Sequence, residues 1–150
     1  MTPEIYTQEV LKTESTDMEA LKKRIQDEKT IRLLHAALGL STEAGEVLDV
    51  LKKHIYYGKP IDEVNLIEEV GDACWYLAVM LDALSSNFSE SMTLNILKLR
   101  KRYGESFSSE KAITRDLDAE REILEGKEKK DDYRDHMRIG PPYPVETAGK

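Results

Sequence analysis

The fold is decided by two stretches of the chain, LLHAALGLSTEAGEVLDVLKKHIYYGKP (residues 33–60) and IEEVGDACWYLAVMLDAL (residues 67–84). In both stretches the apolar residues recur every three or four positions, which predicts helices rather than strands. The sequence Gly58-Lys59-Pro60 ends the first helix, because glycine suits the position after a helix and proline cannot continue one. The two helices are therefore predicted to be antiparallel neighbours.

Most of the remaining chain is also predicted to be helical. Pro3 suits the first turn of a helix that ends near Leu11, and Asp17 and Asp62 are suitable helix caps. The predicted helices cover residues 3–11, a stretch after Asp17, and residues 29–57, 61–85 and 89–103. Strand patterns are absent from the sequence, so we expect an all-α bundle of four to five helices.

The C-terminal part of the sequence differs in character from the rest. Residues 1–107 are predicted to form one helical domain, with its core in residues 30–107. Residues 108–150 are predicted to be a charged extension that is partly helical or packs on a partner subunit. Within it, residues 114–124 can form a short charged helix, and residues 125–135 are nearly all charged.

Composition restricts the setting in which the protein acts. The 150 residues include 29 acidic and 22 basic ones, and this net charge of −7 argues against tight nucleic-acid binding. Cys74, the single cysteine, cannot form an intrachain disulfide, which fits a reducing compartment. The N-terminus lacks the pattern of a signal peptide, and the longest apolar stretch, residues 73–81, is too short to span a bilayer. We expect a cytoplasmic protein without a membrane partner.

Two acidic pairs, Glu43-Ala-Gly-Glu46 and Glu69-Val-Gly-Asp72, lie on the two predicted central helices. The spacing i, i+3 places both carboxylates of a pair on the same side of a helix. Four carboxylates that face one another repel strongly unless a cation neutralises them. Mg²⁺ prefers oxygen ligands of this kind and is often completed by substrate phosphates. The sequence therefore predicts a metal-dependent site for a phosphorylated substrate.

One acidic pair alone is weak evidence, because in a chain that is 34% charged it is usually a solvated helix face. The context strengthens the metal hypothesis. The second pair lies at the start of the most apolar helical segment, Val70 to Leu84, which is predicted to be buried on several sides. Gly45 and Gly71 are predicted to let a backbone or an ion approach closely.

Other side chains share the acidic faces and are candidates for contact with a substrate. At about 100° per residue, the face of the first pair includes His35, Lys53 and Tyr57, and the face of the second includes Tyr76. Each has a structural alternative. Lys53 can interact with the helix dipole, Tyr76 can be a core aromatic, and His35 can be a packing residue. Trp75 lies off the acidic face and is predicted to belong to the core or an interface rather than to a base-stacking platform. Cys74 is predicted to be a small core residue.

A basic run, Lys98 to Arg102, follows on the fifth predicted helix. Its default interpretation is a solvated face. Asn95, Lys98 and Arg102 nevertheless share one side, at positions i, i+3 and i+7, and a polyphosphate would need cations beyond the metal. These three residues are therefore predicted phosphate contacts.

The sequence resembles the MazG-like, all-α nucleoside triphosphate pyrophosphohydrolases, in which an E-x-x-E motif is followed by E-x-x-D. The resemblance covers residues 30 to 107, including KLRKRYGESF (residues 98–107), which is similar to the family's K-x-x-x-R segment. It implies metal ligation by Glu43, Glu46, Glu69 and Asp72, with Mg²⁺ as cofactor and Mn²⁺ as a substitute. It also implies cleavage of a nucleoside triphosphate between the α and β phosphates, by a homodimer or a dimer of dimers.

A mechanism follows as a hypothesis from this resemblance. Glu46 is the preferred residue to help deprotonate the attacking water, and Lys53, with Lys98 and Arg102, would offset charge on the leaving pyrophosphate. His35, Tyr76 and Asn95 complete the set of predicted substrate contacts.

Three alternatives stay open. Di-iron carboxylate chemistry is disfavoured, because no histidine of the chain has a glutamate three residues earlier. The chain can instead be a non-enzymatic helical interaction module with surface acidic pairs. The third alternative is an enzyme similar to the related all-α dUTPases or phosphoribosyl-ATP pyrophosphohydrolases, which share the metal chemistry.

Overall fold

The computed structural model describes residues 1–126, which are 77% helical and contain no strand. The all-α prediction is confirmed, but the predicted count of four to five helices is too low. The helices are α1 (Pro3–Leu11), α2 (Met18–Ile25), α3 (Glu28–Tyr57), α4 (Glu63–Ala83), α5 (Phe88–Tyr103), α6 (Ser109–Ile113) and α7 (Leu117–Leu124). The sequence did not predict α6, because a helix of five residues is too short to show a periodic pattern.

The ends of the helices are set by local side-chain chemistry. Asp17 and Asp62 cap α2 and α4, because their carboxylates accept hydrogen bonds from the Ala20 and Asn65 backbone N–H groups. Gly58 ends α3 in the left-handed conformation, with φ of 66°, which a residue with a Cβ adopts only with strain. The predicted caps and stop are confirmed, although α4 is shorter than predicted.

The chain forms two compact units, Met1–Phe88 and a second one that begins at Ser89. The first contains α1 to α4, and the second contains nearly all of α5 together with α6 and α7. The proposed domain boundary at residue 107 stays a prediction. So does the character of residues 127–135 in the predicted charged extension, because these residues lie outside the described part of the chain.

The centre of the first unit is an antiparallel hairpin of α3 and α4. Arg32 near the start of α3 forms an ion pair with Asp82 near the end of α4. Midway along the hairpin, the Tyr76 ring lies directly on Gly39, where a Cβ built on the glycine would be 2.1 Å from ring atom Cε1. The pairing of early with late residues confirms the predicted antiparallel arrangement.

The apolar surface of the hairpin is only partly covered. In the described residues of the first unit, the buried apolar side chains are Ala36, Val50 and Ala83. Helix α4 was predicted to be buried on several sides, and this is wrong for the single chain, since Val70 is 60% exposed and Cys74 is also exposed. The reason is geometric. One neighbouring helix covers one face of α4, and the period of the sequence does not say what covers the others.

The predicted close approach at Gly45 and Gly71 is also not seen, because a Cβ at either position would meet nothing within 4 Å. The close approach occurs at Gly39, one turn before Glu43. Within residues 1–126, none of the helices combines the length and apolar character needed to cross a bilayer.

Candidate metal centre

Three of the four predicted metal ligands converge in the hairpin. Glu43 from α3 and Glu69 and Asp72 from α4 each offer a carboxylate oxygen, and the three oxygens lie within 4.8 Å of one another. The antiparallel pairing produces this convergence, because it aligns the turn of Glu43 with the turn of Glu69 and Asp72. Three hard oxygen donors at this spacing can surround one divalent cation.

The two glutamates of this group are withdrawn from solvent. Glu69 is 3% exposed and Glu43 is 9% exposed, whereas Asp72 is exposed. Burial raises the pKa of Glu43, and the side chain of Glu69 raises it further by sharing a hydrogen bond with the protonated form. The neighbouring charges that act in the same direction, on Glu46, Glu69 and Asp72, are all negative. The cluster therefore carries more negative charge than its own surroundings neutralise.

Two neutral side chains hold the buried carboxylates. Asn65, one turn before Glu69 on α4, donates a hydrogen bond of 2.6 Å from Nδ2 to Oε1 of Glu69. The hydroxyl of Thr42 donates to the carbonyl oxygen of Gly39 at 2.7 Å and lies 3.4 Å from Oε1 of Glu43. These contacts restrict the orientation of the two carboxylates without supplying positive charge.

Glu46, the fourth predicted ligand and the preferred proton acceptor, lies on the next turn of α3 and is exposed. Its carboxylate is outside the group of three oxygens, but its negative charge contributes to raising the pKa of Glu43. Its roles as a metal ligand and as a proton acceptor stay predictions.

Lys53, the predicted phosphate contact on α3, is held by a carboxylate that the sequence analysis did not single out. Its ammonium lies 2.6 Å from Oδ2 of Asp49, and Lys52 binds the other oxygen of the same carboxylate. Lys52 and Lys53 together lower the pKa of Asp49 to about 2. The ammonium group of Lys53 is exposed and can exchange this partner for a phosphate at small cost.

The aromatic candidates form one cluster beside the close approach at Gly39. The ring of His35 lies 5.8 Å from the ring of Tyr76 and 6.1 Å from that of Trp75, and the Trp75 and Tyr76 rings are 5.0 Å apart, all edge to face. Trp75 was predicted to belong to the core or an interface. The core alternative is wrong for the single chain, because the residue is 55% exposed.

The predicted phosphate contacts on α5 lie in the second unit. Asn95 is exposed and Lys98 is half-buried. Arg102 has a partner within this unit. Its Nε and Nη2 donate to the two carboxylate oxygens of Glu120 on α7, at 2.7 and 2.6 Å. Arg115 binds the same two oxygens at 3.3 and 2.7 Å.

The pKa of Glu120 is shifted in the opposite direction to that of Glu43. The side chain of Glu120 is 5% exposed, and the two guanidinium groups, Arg102 first and Arg115 second, lower its pKa to about 2. Because Nε and Nη2 of Arg102 already donate to Glu120, the role of Arg102 in binding a phosphate stays a prediction. The pair instead attaches α7 to α5.

Sequence reasoning missed several of these residues. Asn65 stands four residues before Glu69, a spacing that places an amide beside a carboxylate on one helix face, so this contact was detectable. Asp49 stands four residues before Lys53, which is also a detectable pair. The contact of Arg102 with Glu120 joins two helices that are separate in the sequence, and no local pattern predicts it.

Comparisons of this chain with protein-family models, with curated proteins and with solved structures found no match. Its function is therefore argued from the residues and their geometry.

Proposed function

We propose that this protein is a Mg²⁺-dependent nucleoside triphosphate pyrophosphohydrolase, which cleaves a (deoxy)nucleoside triphosphate between the α and β phosphates. The observation that carries the proposal is the convergence of Glu43, Glu69 and Asp72 on one point, with two of the three buried. Buried carboxylates whose charged neighbours are also negative repel one another, and a bound cation relieves that repulsion.

The donor set is compatible with Mg²⁺ and with Mn²⁺. The three donors are carboxylate oxygens, and Mg²⁺ binds hard oxygen ligands while leaving positions for water and phosphate oxygens. Asp72 and Glu46 are exposed, so the cluster is accessible to a substrate from this side. The resemblance of residues 30–107 to the MazG-like enzymes adds the reaction type, which the geometry of the cluster alone does not specify.

The residues of the chain have distinct roles in this proposal. Glu43, Glu69 and Asp72 would hold the Mg²⁺, which when bound supplies Lewis-acid polarisation of the phosphates and lowers the pKa of a water. Glu46 would accept a proton from the attacking water, since it is exposed and one turn from Glu43. Asn65 would keep the Glu69 carboxylate in place through its hydrogen bond. Lys53 would leave Asp49 to offset charge on the departing pyrophosphate.

We also propose that two copies of the chain associate through the hairpin. Large apolar side chains remain exposed along both of its helices: Ile31, Leu34, Leu38, Leu48 and Ile55 on α3, and Val64, Ile67 and Val70 on α4. Exposure of so many large apolar side chains on one hairpin supports the proposal that another chain covers them. A homodimer or a dimer of dimers would bury it.

The same exposed apolar surface also favours a second candidate, a helical interaction module without enzymatic activity. The two functions differ in what they require of the acidic cluster. An interaction module keeps its function when the carboxylates are replaced, whereas the pyrophosphohydrolase loses its activity.

The experiment that tests the proposal is a product analysis. The purified protein is incubated with a panel of NTPs and dNTPs, with and without Mg²⁺, and the products are separated by chromatography. We expect Mg²⁺-dependent release of a nucleoside monophosphate and pyrophosphate by the parent protein, and loss of that activity in the Glu69→Gln variant. Release of single phosphates would assign the cleavage to another bond. Equal turnover by parent and variant would move the site away from the cluster.

A further inference from the structure

The rings of His35, Trp75 and Tyr76 form a cluster that supplies no ligand to the proposed cation. The three rings contact one another pairwise with interplanar angles of 70°, 82° and 89°. Edge-to-face contacts of this kind fix the orientation of each ring. Tyr76 also packs closely on Gly39, where an added Cβ would be 2.1 Å from ring atom Cε1.

The indole of Trp75 is therefore oriented by its neighbours and yet remains 55% exposed. A tryptophan usually buries most of its large apolar surface, because the hydrophobic effect scales with the area removed from water. An oriented and open indole is suited to stack on a flat aromatic ligand, since little side-chain freedom is lost on binding.

The cluster is adjacent to the acidic site along the hairpin. Trp75 and Tyr76 follow Asp72 by three and four residues on α4, so they are its neighbours on the next turn. Because α3 is antiparallel, the matching turns on that helix precede Glu43. Gly39 and His35 stand there, and the contact of Gly39 with Tyr76 confirms this register.

We propose that the aromatic cluster binds the base of the nucleotide, with the base stacked on Trp75 while the phosphates lie at the acidic cluster. This inference rests on the proposed function for the phosphates. Stacking tolerates every base, because each has a π-face, and it strengthens with ring area. The substrates are therefore triphosphates of several bases, with purines bound more tightly than pyrimidines, rather than those of one base.

The single tryptophan of the chain gives a direct test. The intrinsic fluorescence of Trp75 is titrated with a nucleoside triphosphate analogue that carries a methylene group between the α and β phosphorus atoms, in the presence of Mg²⁺. Inorganic tripolyphosphate, which has no base, is the control ligand. We expect saturable quenching by the purine analogue, weaker binding of the pyrimidine analogue, and no quenching by tripolyphosphate.

Two variants add a second readout. Trp75→Leu removes the ring and is expected to raise the Kd for the purine analogue about 10-fold while leaving the Kd for tripolyphosphate unchanged. Trp75→Phe keeps a ring, and its Kd for the purine analogue is expected to lie between those of the parent and Trp75→Leu. Ile113→Ala, at an exposed apolar position of α6, is the control and should bind like the parent. The Kd values are measured by calorimetry, because the variants at position 75 lack the fluorophore.

The outcomes separate this inference from the proposed function. Triphosphate hydrolysis without quenching, and with an unchanged Kd in Trp75→Leu, would overturn the base site and leave the enzyme intact. Quenching by nucleosides in a protein that hydrolyses no triphosphate would uphold the base site and remove the proposed function. If Trp75→Leu changes only the molecular mass in solution, the residue lies in a subunit interface and the inference is wrong.

Discussion

Two regions of the molecule bury glutamates in opposite electrostatic surroundings. In the first unit, Glu43 and Glu69 face each other and Asp72, and the pKa of Glu43 is raised. In the second unit, Glu120 accepts hydrogen bonds from two arginines, and its pKa is lowered to about 2. Burial disfavours the charged form in both places, so the neighbouring groups decide the sign of the shift.

The difference distinguishes a structural carboxylate from a carboxylate that is available for function. Glu120 has its partners within the protein, and its hydrogen bonds attach α7 to α5. Within residues 1–126, the groups that contact Glu43 and Glu69 are carboxylates and neutral side chains. This repulsion is the physical basis for the proposal that the cluster binds a cation.

The largest expected effect is on catalysis, from Glu69→Gln. The amide keeps the shape of the side chain and can still accept the hydrogen bond from Asn65, but it removes the charge that would hold the metal. We expect kcat for triphosphate hydrolysis to fall by at least about 100-fold, while the melting temperature without metal is unchanged or higher. The measurements are steady-state kinetics and thermal unfolding. The matched control is Glu68→Gln, since Glu68 is an exposed neighbour on the same helix. A melting temperature that falls steeply in Glu69→Gln would mean that the carboxylate is structural, like Glu120.

The second effect is on stability, from Glu120→Gln. This change leaves two guanidinium groups without the charge that both of them contact, and breaking a largely buried pair is strongly destabilising. We expect the melting temperature to fall by about 5–10 °C. Glu122→Gln, at an exposed position of α7, is the control and should unfold like the parent. An unchanged melting temperature for Glu120→Gln would break the comparison, because Glu120 would then not be a structural carboxylate.

The third effect tests whether close packing of α3 on α4 brings the acidic groups together. A Cβ at Gly39 would be 2.1 Å from the Tyr76 ring, so Gly39→Ala should force the ring aside and destabilise the protein by about 1–3 kcal/mol. Gly45→Ala, in the same helix with nothing within 4 Å, should instead stabilise it by about 0.5–1 kcal/mol. Urea unfolding measures both. If the two variants destabilise equally, a partner chain contacts Gly45 in solution.

The smallest effect is the pH dependence of stability in the absence of metal. The folded protein binds a proton at Glu43 more tightly than the unfolded chain does, so this group lowers stability as the pH rises above its ordinary pKa of 4.5. Glu120 acts in the opposite direction. Its contribution is complete above 4.5 and is lost as the pH falls towards about 2.

Urea unfolding of the metal-free protein between pH 3 and 8 measures how stability changes with pH on each side. Unfolding curves at intervals of about one pH unit are sufficient to resolve the two slopes. Glu43→Gln should remove the decline on the alkaline side, and Glu120→Gln should remove the decline on the acid side. A single variant that removes both declines would show that the two regions do not titrate independently.

Much of the fold was accessible from the sequence, because its determinants are local. The caps Asp17 and Asp62, the stop at Gly58 and the spacing within each acidic pair act over one or two helical turns. The prediction of a buried α4 was wrong for the opposite reason. An apolar residue such as Val70 is compatible with burial by its own chain or by another chain, and its sequence context is the same in both cases.

The sequence by itself determined that the chain is helical, that α3 and α4 form an antiparallel hairpin, and that each of these helices carries an acidic pair. Only the tertiary structure decided which carboxylates converge. It also decided that α3 and α4 make their close contact at Gly39 rather than at Gly45, and that Arg102 donates its hydrogen bonds to Glu120. These features depend on the rotation of each helix about its axis and on contacts between residues far apart in the chain. Packing sets both, and hydrophobic periodicity alone leaves them open.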